Sequence, residues 1–374
     1  MTSSGPLHDI RVVELAAQGP GPFAGGLLAD FGADVVIIDR PPGLTPPPGP
    51  PRSHDAYNRN KRSIALDLKS ETGRTMALSL IAKADIFIEG YRPGVAERLG
   101  LGPAECHARN PSLVYGRMTG WGQDGPLAQE AGHDINYLAL TGALGSIGAP
   151  GTPPPPPLNL VADLGGGAMY LAFGLMAALM EVRRSGRGQV VDAAMIDGVA
   201  HLMSMFQSFR QLGTWSDRRE DNIIDGGAPF YGSYETRDGK YVAVGAIEPQ
   251  FWTSLLTIVG LDPATMPDQM DREAWPGVRA RLAAAFRARD RDEWTATAAG
   301  RDACLSPILT MDEAWVHPQM TARGTFADFH GLKHPNPAPR LSETPGNLRR
   351  PSPDAGAHGD EILRDWGIDS EVPQ

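Results

Sequence analysis

Residues 11–39 decide the fold of this chain, and they read RVVELAAQGPGPFAGGLLADFGADVVIID. The two apolar runs at 11–15 and 34–38 have the β-branched composition of buried strands. The small and apolar residues between them, 22–31, are typical of a helix. A strand, a helix and a second strand form the repeating unit of a parallel sheet, so this stretch predicts an α/β fold.

The same alternation continues along the chain. The pattern predicts helices at 72–84, 168–182 and 196–212, and strands at 85–88, 113–116 and 189–193. Parallel strands joined by helices of this length place helices on both faces of the sheet.

The pattern changes near residue 226, where the pair Asp238-Gly239 indicates a β-hairpin. We expect three segments: a large domain at 1–225, a small α+β domain at 226–325, and a C-terminal segment at 326–374 that returns to the large domain. Within the last segment, the proline-rich tail at 333–353 is too polar to pack alone, and a helix is expected at 359–366.

Composition excludes several classes of protein. The chain has 374 residues and a net charge of −10, which argues against a nucleic-acid surface. Cys106 and Cys304 are too few and too distant for a disulfide framework or a metal site, which fits a reducing cytoplasm. The N-terminal residues lack the features of a signal peptide. The longest apolar run, 168–182, is shorter than the roughly 20 residues of a membrane helix, so we expect a buried helix and no membrane association.

Glycine and basic residues near strand ends indicate phosphate binding. The stretch 19–26, GPGPFAGG, follows the first strand, although its spacing is not GxGxxG. Asp39 is suited to a ribose hydroxyl, and Arg40 to the extra ribose phosphate that coenzyme A carries. Arg92 and the basic cluster 59–62, RNKR, add to this signal. Each charge alone could be a solvated surface residue, but ligands of open parallel sheets bind at the carboxyl ends of strands.

Three other stretches carry groups that could move a proton. His133 in GHDINY (132–137) and Asp163 in LNLVADLGGG (158–167) each stand where a helix begins, so an imidazole and a carboxylate could act together. Glu248, before Pro249, is suited to orient a histidine. Each has a structural alternative, because His133 and Asp163 could cap helices, and Glu248-Pro249 could start one.

Taken together, the motifs resemble the family III CoA-transferase superfamily and, within it, the members that racemise acyl-CoA thioesters. The motifs that carry the resemblance are GPGPF (19–23), IDRP (38–41), KRS (61–63), DLK (67–69), EGYRPGV (89–95), RMTGWGQ (117–123), GHDINY (132–137), PLNL (157–160), DGGAP (225–229) and VGAIEPQF (244–251). The chain departs most from the family pattern in the loop 41–54 and in the proline run 153–157.

The resemblance implies an α/β fold with a Rossmann-like large domain built from both chain ends, a smaller α+β domain, and an interlocked homodimer. It implies an acyl-CoA substrate, with no separate cofactor. It also implies that His133, Asp163 and Glu248 are catalytic, and that methionines form a permissive surface for the acyl chain. The residues expected around CoA and the acyl group are Arg40, Ala65, Leu66, Asp67, Leu68, Lys69, Arg92, Met118, Gly132, Asp134, Tyr137, Asn159 and Met195.

Asp163 alone does not decide between two activities. The resemblance matches Asp163 to the aspartate that transferases of this superfamily use as a nucleophile. They usually have tyrosine where His133 stands, whereas histidine supplies a base with an ordinary pKa near 6.5. Racemisation needs two groups on opposite faces of the α-carbon, and a donor to the enolate oxygen such as the backbone N–H of Asp134.

We therefore expect an isomerase that inverts the 2-methyl stereocentre of branched-chain acyl-CoA thioesters by 1,1-proton transfer. The alternative is a CoA-transferase that moves CoA between carboxylic acids, with Asp163 as nucleophile.

Overall fold

The structure is a computed structural model that describes residues 5–41 and 51–369, so most of the loop expected at 41–54 and both chain ends lie outside the described residues. Its strands are β1 Arg11–Leu15, β2 Asp34–Asp39, β3 Arg62–Ala65, β4 Ile86–Glu89, β5 Val114–Thr119, β6 Gln189–Ala194, β7 Tyr231–Glu235, β8 Tyr241–Gly245, β9 Leu305–Pro307, β10 Phe326–Phe329 and β11 Leu332–Pro335. Its helices are α1 Pro20–Asp30, α2 Glu71–Ile81, α3 Val95–Arg98, α4 Pro103–Arg109, α5 Asp134–Leu140, α6 Met169–Ser185, α7 Met195–Leu202, α8 Ser204–Gln211, α9 Pro249–Ile258, α10 Trp275–Phe286, α11 Arg291–Ala298, α12 Met311–Val316, α13 Pro318–Ala322 and α14 Gly359–Trp366. A π-helix, Val161–Ala168, runs directly into α6.

Six parallel strands form the main sheet in the order β3-β2-β1-β4-β5-β6. Strands β2 and β4 are buried along almost their whole length, which explains why they read as continuous apolar runs. The strand order reverses between β1 and β4, and doubly wound sheets bind ligands at the carboxyl ends of the strands at such a point. The parallel α/β fold predicted from residues 11–39 is confirmed.

Helices cover the two faces of this sheet in different ways. Side chains of α2, α4 and α14 form one core with alternate strand residues: Val13, Leu15, Val36, Ile38, Phe87 and Tyr115 on the strands, and Ala77, Leu80, Cys106, Ile362 and Trp366 on the helices. On the other face, α6 lies so close to β5 that a Cβ at Gly116 would be 2.9 Å from a Leu175 methyl group. The sheet is therefore fixed from both sides.

The chain divides into two compact units: the first comprises residues 1–141, 157–202 and 321–374, and the second comprises 142–156 and 203–320. The main sheet belongs to the first unit. The segments expected from the sequence, 1–225, 226–325 and 326–374, differ from this division mainly because residues 142–156 and 203–225 lie with the second unit.

The second unit is built around a three-stranded antiparallel sheet in the order β7-β8-β9. The predicted hairpin joins β7 to β8, and Gly239 adopts the positive φ of 72° that its turn requires. Its core is aromatic, with the ring of Phe230 edge-on to Trp252 at 6.0 Å and to Trp275 at 5.9 Å between centroids.

The C-terminal segment packs on the first unit through polar contacts. Strands β10 and β11 form an antiparallel pair, and Arg59 donates a hydrogen bond to the carbonyl of Pro335 at 2.8 Å. Asn60 donates to the carbonyl of Asn347 and accepts from the backbone N–H of Arg349. The helix predicted at 359–366 is confirmed as α14.

The secondary-structure prediction needs correction at residues 196–212 and at residues 62–65. The single helix expected at 196–212 is two helices, α7 and α8, which are separated at Met203 by a non-helical ψ of 3°. Strand β3 was not predicted at all. Its first residues, Arg62 and Ser63, are buried polar side chains, and this composition conceals a strand that pairs with β2.

The helix predicted at 168–182 starts earlier, as the π-helix, and it is not buried on every side. Leu171 and Leu175 are fully buried, but Phe173 is 76% exposed and Met180 is 63% exposed. The prediction of a buried helix is therefore wrong for one face of α6 in the single chain. By length and composition the helical stretch Leu158–Ser185 could cross a membrane, which is weak evidence because its other face packs on β5 and β6.

The basic cluster at 59–62 has a structural role that the sequence did not reveal. Arg59 pairs with Asp30, Lys61 with Glu14, and Arg62 with Asp34. These cations are buried inside the first unit, so the prediction that the cluster binds phosphates is wrong.

Lys61 is the most enclosed member of the cluster, with no exposed side-chain surface. Its Nζ lies within 3.0 Å of both Glu14 carboxylate oxygens, the Pro22 carbonyl and Asn58 Oδ1. It thereby joins β1, the first turn of α1 and the turn that precedes β3. Gly25 makes room for this pair, since a Cβ there would be 1.8 Å from Glu14 Oε2.

We predict that Lys61→Met lowers the free energy of unfolding by about 3–5 kcal/mol, because it leaves the Glu14 carboxylate buried without its cation. Urea denaturation measures the change. The exposed Lys83 is a matched control, and Lys83→Met should change stability by less than about 0.5 kcal/mol. The double variant Glu14→Leu/Lys61→Met should regain much of the loss, since no unpaired charge is left. Equal stability of Lys61→Met and the wild type would contradict this account.

Candidate active site

The residues expected to bind CoA follow the carboxyl ends of neighbouring strands. Arg40 follows β2, Ala65 ends β3, and Arg92 comes three residues after β4. The other residues of this group continue from β3: Leu66, Asp67, Leu68 and Lys69. Arg40 and Arg92 are exposed, and neither forms an ion pair within residues 5–41 and 51–369. Within the described ranges, this edge of the sheet therefore offers two cations that form no ion pair.

Asp39 does not take the role that its position suggested. Its carboxylate is buried, accepts a hydrogen bond from Ser63 Oγ at 2.6 Å and pairs with Arg52. Because these contacts occupy the carboxylate within the fold, they contradict the hypothesis that Asp39 binds a ribose hydroxyl.

His133 is exposed and is the N-cap residue of α5. Its backbone N–H donates to Asn136 Oδ1 at 3.0 Å, and its backbone carbonyl accepts from the Asn136 N–H at 2.8 Å. Gly132 precedes it in close contact with Tyr137, whose hydroxyl donates to the Gly132 carbonyl. A Cβ at Gly132 would lie 2.7 Å from the Tyr137 ring, so the site tolerates only glycine there without rearrangement.

Asp163 lies in the first turn of the π-helix, where Asn159 Nδ2 donates to its Oδ2 at 2.8 Å. The carboxylate of Asp134 reaches the same turn. Its Oδ2 accepts from the backbone N–H groups of Ala162, at 2.9 Å, and Asp163, at 2.8 Å. Asp134 directly follows His133, so this contact brings the starts of two helices together.

Burial raises the pKa of the Asp163 carboxyl above its ordinary range. The hydrogen bond from Asn159 lowers that pKa, the Asp134 charge raises it further, and the charge of protonated His133 lowers it. Since these groups act on one carboxyl, they form one electrostatic site. A carboxyl with a raised pKa and an imidazole in one site are groups that can give and take protons.

Two neighbours of Asp163 were missed as site residues. A Cβ at Gly19, the N-cap of α1, would lie 3.6 Å from Asp163 Oδ2, so this carboxylate faces the start of α1. Tyr57 packs edge-on against Phe23 of α1 at 5.2 Å. Burial raises the pKa of the Tyr57 phenol, and the Asp163 charge adds to the rise. The GPGPF motif could have indicated Gly19, but no motif marks Tyr57.

Tyr137 connects this cluster to Arg92. Burial and the Asp163 charge raise the pKa of the Tyr137 phenol to about 12, while the Arg92 charge acts in the opposite direction. The ring of Trp121 lies edge-on to Tyr137 at 4.7 Å. Trp121 Nε1 and Gln123 Nε2 are buried donors without a hydrogen-bond partner in the described part of the chain. The sequence showed their motif but assigned them no role.

The two methionines expected to contact the acyl chain lie beneath the π-helix. A Cβ at Gly167 would be 2.9 Å from Met195 Cγ and 3.4 Å from Met118 Cε. Both side chains are buried. The two methionine side chains therefore meet at Gly167, four residues after Asp163. Their contact with an acyl group stays a prediction.

Glu248 lies in the second unit, where it is the exposed N-cap of α9 with Pro249 in the first turn. The structural alternative for this pair, a helix start, is confirmed. Glu248 also raises the pKa of Cys304, after the larger effect of burial. Its catalytic role stays a prediction.

Comparisons with known proteins identify the family of this chain. A family model described as CoA-transferase family III matches residues 7–359. A Mus musculus protein named alpha-methylacyl-CoA racemase is 45% identical over 368 residues, which cover 98% of this chain and 94% of the mouse protein. The Homo sapiens protein of the same name is 42% identical with the same coverage.

Among solved structures, a CAIB/BAIF family protein from Brucella suis superimposes with a TM-score of 0.82 at 28% identity, covering 97% of this chain and 100% of that one. The family model spans nearly the whole chain, and the mouse and human proteins are similar to this chain over almost their full length. The chain belongs to CoA-transferase family III.

Proposed function

We propose that this protein is an isomerase, a racemase that inverts the 2-methyl stereocentre of branched-chain acyl-CoA thioesters. The observation that carries the proposal is the placement of His133 and Asp163 at two helix starts that the Asp134 carboxylate links, with the His133 charge acting on the Asp163 carboxyl. The mouse and human relatives named alpha-methylacyl-CoA racemase support it.

The reaction needs one group to remove the α-proton and another to return a proton to the opposite face of the same carbon. In one direction the neutral imidazole of His133 takes the proton and protonated Asp163 supplies one. In the other direction the Asp163 carboxylate takes the proton and the imidazolium supplies one. The pair therefore works with one shared proton, and the raised pKa of Asp163 favours its acid form.

Removal of the α-proton places negative charge on the thioester oxygen, which becomes an enolate. The backbone N–H of Asp134 is the first of α5 and has no carbonyl partner within the helix. It can donate to the enolate oxygen, and the positive end of the helix dipole adds to the stabilisation.

CoA binding is assigned to the cations at the strand ends. Arg40 and Arg92 would bind the nucleotide phosphates, because charge-assisted contacts to phosphate are the strong kind. The backbone at Ala65, Leu66, Asp67, Leu68 and Lys69 would border the nucleotide. CoA is part of the substrate, so no separate cofactor is required.

We assign the exposed apolar face of α6 to a second copy of this chain. Met169, Phe173 and Met180 follow a helical spacing on the side that faces away from the sheet, and each is at least half exposed in the single chain. A helix with its other side packed on a sheet is not free to span a bilayer, whereas a homodimer would cover the face. The two free cysteines, Cys106 and Cys304, are consistent with a cytoplasmic enzyme.

Glu248 completes the proposed site from the partner subunit. A carboxylate within hydrogen-bond reach of the His133 ring would fix its tautomer and stabilise the imidazolium. In an interlocked dimer the second unit of one subunit would close over the first unit of the other.

The first test of this function is incubation with a 2-methylacyl-CoA in deuterium oxide, without an acceptor acid. We expect the α-hydrogen to exchange and both epimers to form, because the enolate is protonated from groups that exchange with solvent. Mass spectrometry and chiral chromatography measure the two effects. Retention of the α-hydrogen together with CoA exchange that requires an acceptor acid would assign the protein as a transferase instead. His133→Ala distinguishes the two activities further, since racemisation needs His133 but nucleophilic transfer by Asp163 does not.

The second test concerns the CoA site. Arg40→Ala and Arg92→Ala should each raise KM about tenfold or more and leave kcat within a few fold, because they remove binding energy shared by substrate and transition state. Arg109, an exposed arginine at the end of α4, is the matched control, and Arg109→Ala should leave KM unchanged. If Arg40→Ala and Arg92→Ala bind CoA with wild-type affinity, the nucleotide site lies elsewhere.

The third test asks whether Glu248 acts across a dimer. Glu248→Ala and His133→Ala homodimers should both be inactive. When the two are unfolded together and refolded, heterodimers should regain activity, because one of their two sites carries both lesions and the other is intact. Heterodimers that form without activity would show that Glu248 serves its own subunit or has no catalytic role.

A further inference from the structure

The side chain of Asp134 makes contacts that its backbone role does not require. Asp134 is only 4% exposed, and its Oδ2 accepts from two consecutive N–H groups of the π-helix, 28 and 29 residues along the chain. Orphan N–H groups at a helix start are usually capped by the residue directly before the helix. Here the cap comes from α5, and it is a carboxylate.

This cap has two effects on the site. It fixes the position of the Asp163 backbone relative to α5, and so relative to His133 at the start of that helix. It also places a carboxylate beside the Asp163 carboxyl, where the two negative charges repel each other.

The other groups around Asp163 do not replace this effect. Asn159 and protonated His133 act in the opposite direction, and Tyr57 and Tyr137 are phenols with raised pKa values. The charged or titratable residues on the other elements that contact the π-helix interact with other groups. Asp30 of α1 pairs with Arg59, Arg117 of β5 pairs with Glu89, and Glu181 of α6 pairs with Arg184. His201 of α7 forms a hydrogen bond with Tyr170, and the charge of Asp197 of α7 acts on Asp192 of β6.

We propose that the Asp134 side chain is a positioning residue, which holds the two proton-transfer groups in register through its contacts with the π-helix and places its charge beside the Asp163 carboxyl. The inference rests on the racemase function proposed above and extends it. One residue then serves the reaction twice, through its backbone N–H at the enolate oxygen and through its carboxylate at the opposite base.

Asp134→Asn separates charge from geometry. The amide oxygen has the same shape and can still accept both N–H bonds, but the negative charge is gone. We expect the pKa of Asp163 to fall, which carboxyl carbon-13 NMR measures directly, with Asp163→Asn identifying the resonance. The readout needs no activity, so it tests the inference even if the racemase function fails. An unchanged Asp163 titration would overturn the proposal.

In an active racemase the same variant should move the acidic limb of kcat/KM to lower pH, because activity is lost when both His133 and Asp163 are protonated. Asp134→Glu keeps the charge but extends the side chain, so the acidic limb should stay near its wild-type position while kcat falls about 100-fold from misplacement. The Asp134→Glu variant also provides a test if Asp134→Asn does not fold. Asp262→Asn removes the charge of an exposed capping residue in the second unit and should leave the profile unchanged. Equal profiles for wild type, Asp134→Asn and Asp134→Glu, or a loss of stability with no shift of the limb, would contradict the proposal.

Discussion

The arrangement of β1, α1 and β3 in the first unit depends on the buried ion pair between Lys61 and Glu14. It joins the first strand, the start of α1 and the turn before β3 through oxygens that all lie within 3.0 Å of one ammonium group. Burying such a pair is costly unless additional hydrogen bonds satisfy both charged groups. Here the groups that form these bonds belong to segments that border the proposed site. The start of α1 is thereby held where Gly19 faces Asp163.

A second carboxylate organises the chemistry in the same manner. The Asp134 carboxylate accepts hydrogen bonds from two N–H groups of the π-helix. The relative position of the two helix starts therefore depends on these contacts with the backbone as well as on the reacting side chains. The family to which the chain belongs is named for transferases, and an aspartate can serve either as nucleophile or as acid. In this chain, burial and the neighbouring carboxylate raise the pKa of Asp163, and His133 is the proposed second base. Environment, rather than the identity of the aspartate, decides the proposed reaction.

Much of the fold could be predicted because its signals are local. The apolar strands β1 and β2, the Asp238-Gly239 turn and the helix α14 each reveal themselves within a few residues. Strand β3 did not, because its arginine and serine are buried through partners far away in sequence, such as Asp34 and Asp39. For the same reason the cluster at 59–62 resembled a phosphate site.

Among the site residues, His133 and Asp163 stood in recognisable motifs, whereas Tyr57 is a neighbour only through the packing of α1. The exposed face of α6 was not predicted, because an apolar sequence indicates that a helix is covered but does not show whether its own chain or another chain covers it.

The central claim is that His133 and Asp163 act on opposite faces of one carbon. The most direct measurement is α-hydrogen exchange in deuterium oxide with each single variant and each pure epimer, followed by proton NMR. Loss of one base should abolish inversion but leave the other base able to exchange the hydrogen that faces it. The account predicts that His133→Ala exchanges one epimer and Asp163→Ala exchanges the other. If both variants exchange the same epimer, or if either still interconverts the two, the two groups do not divide the reaction between opposite faces.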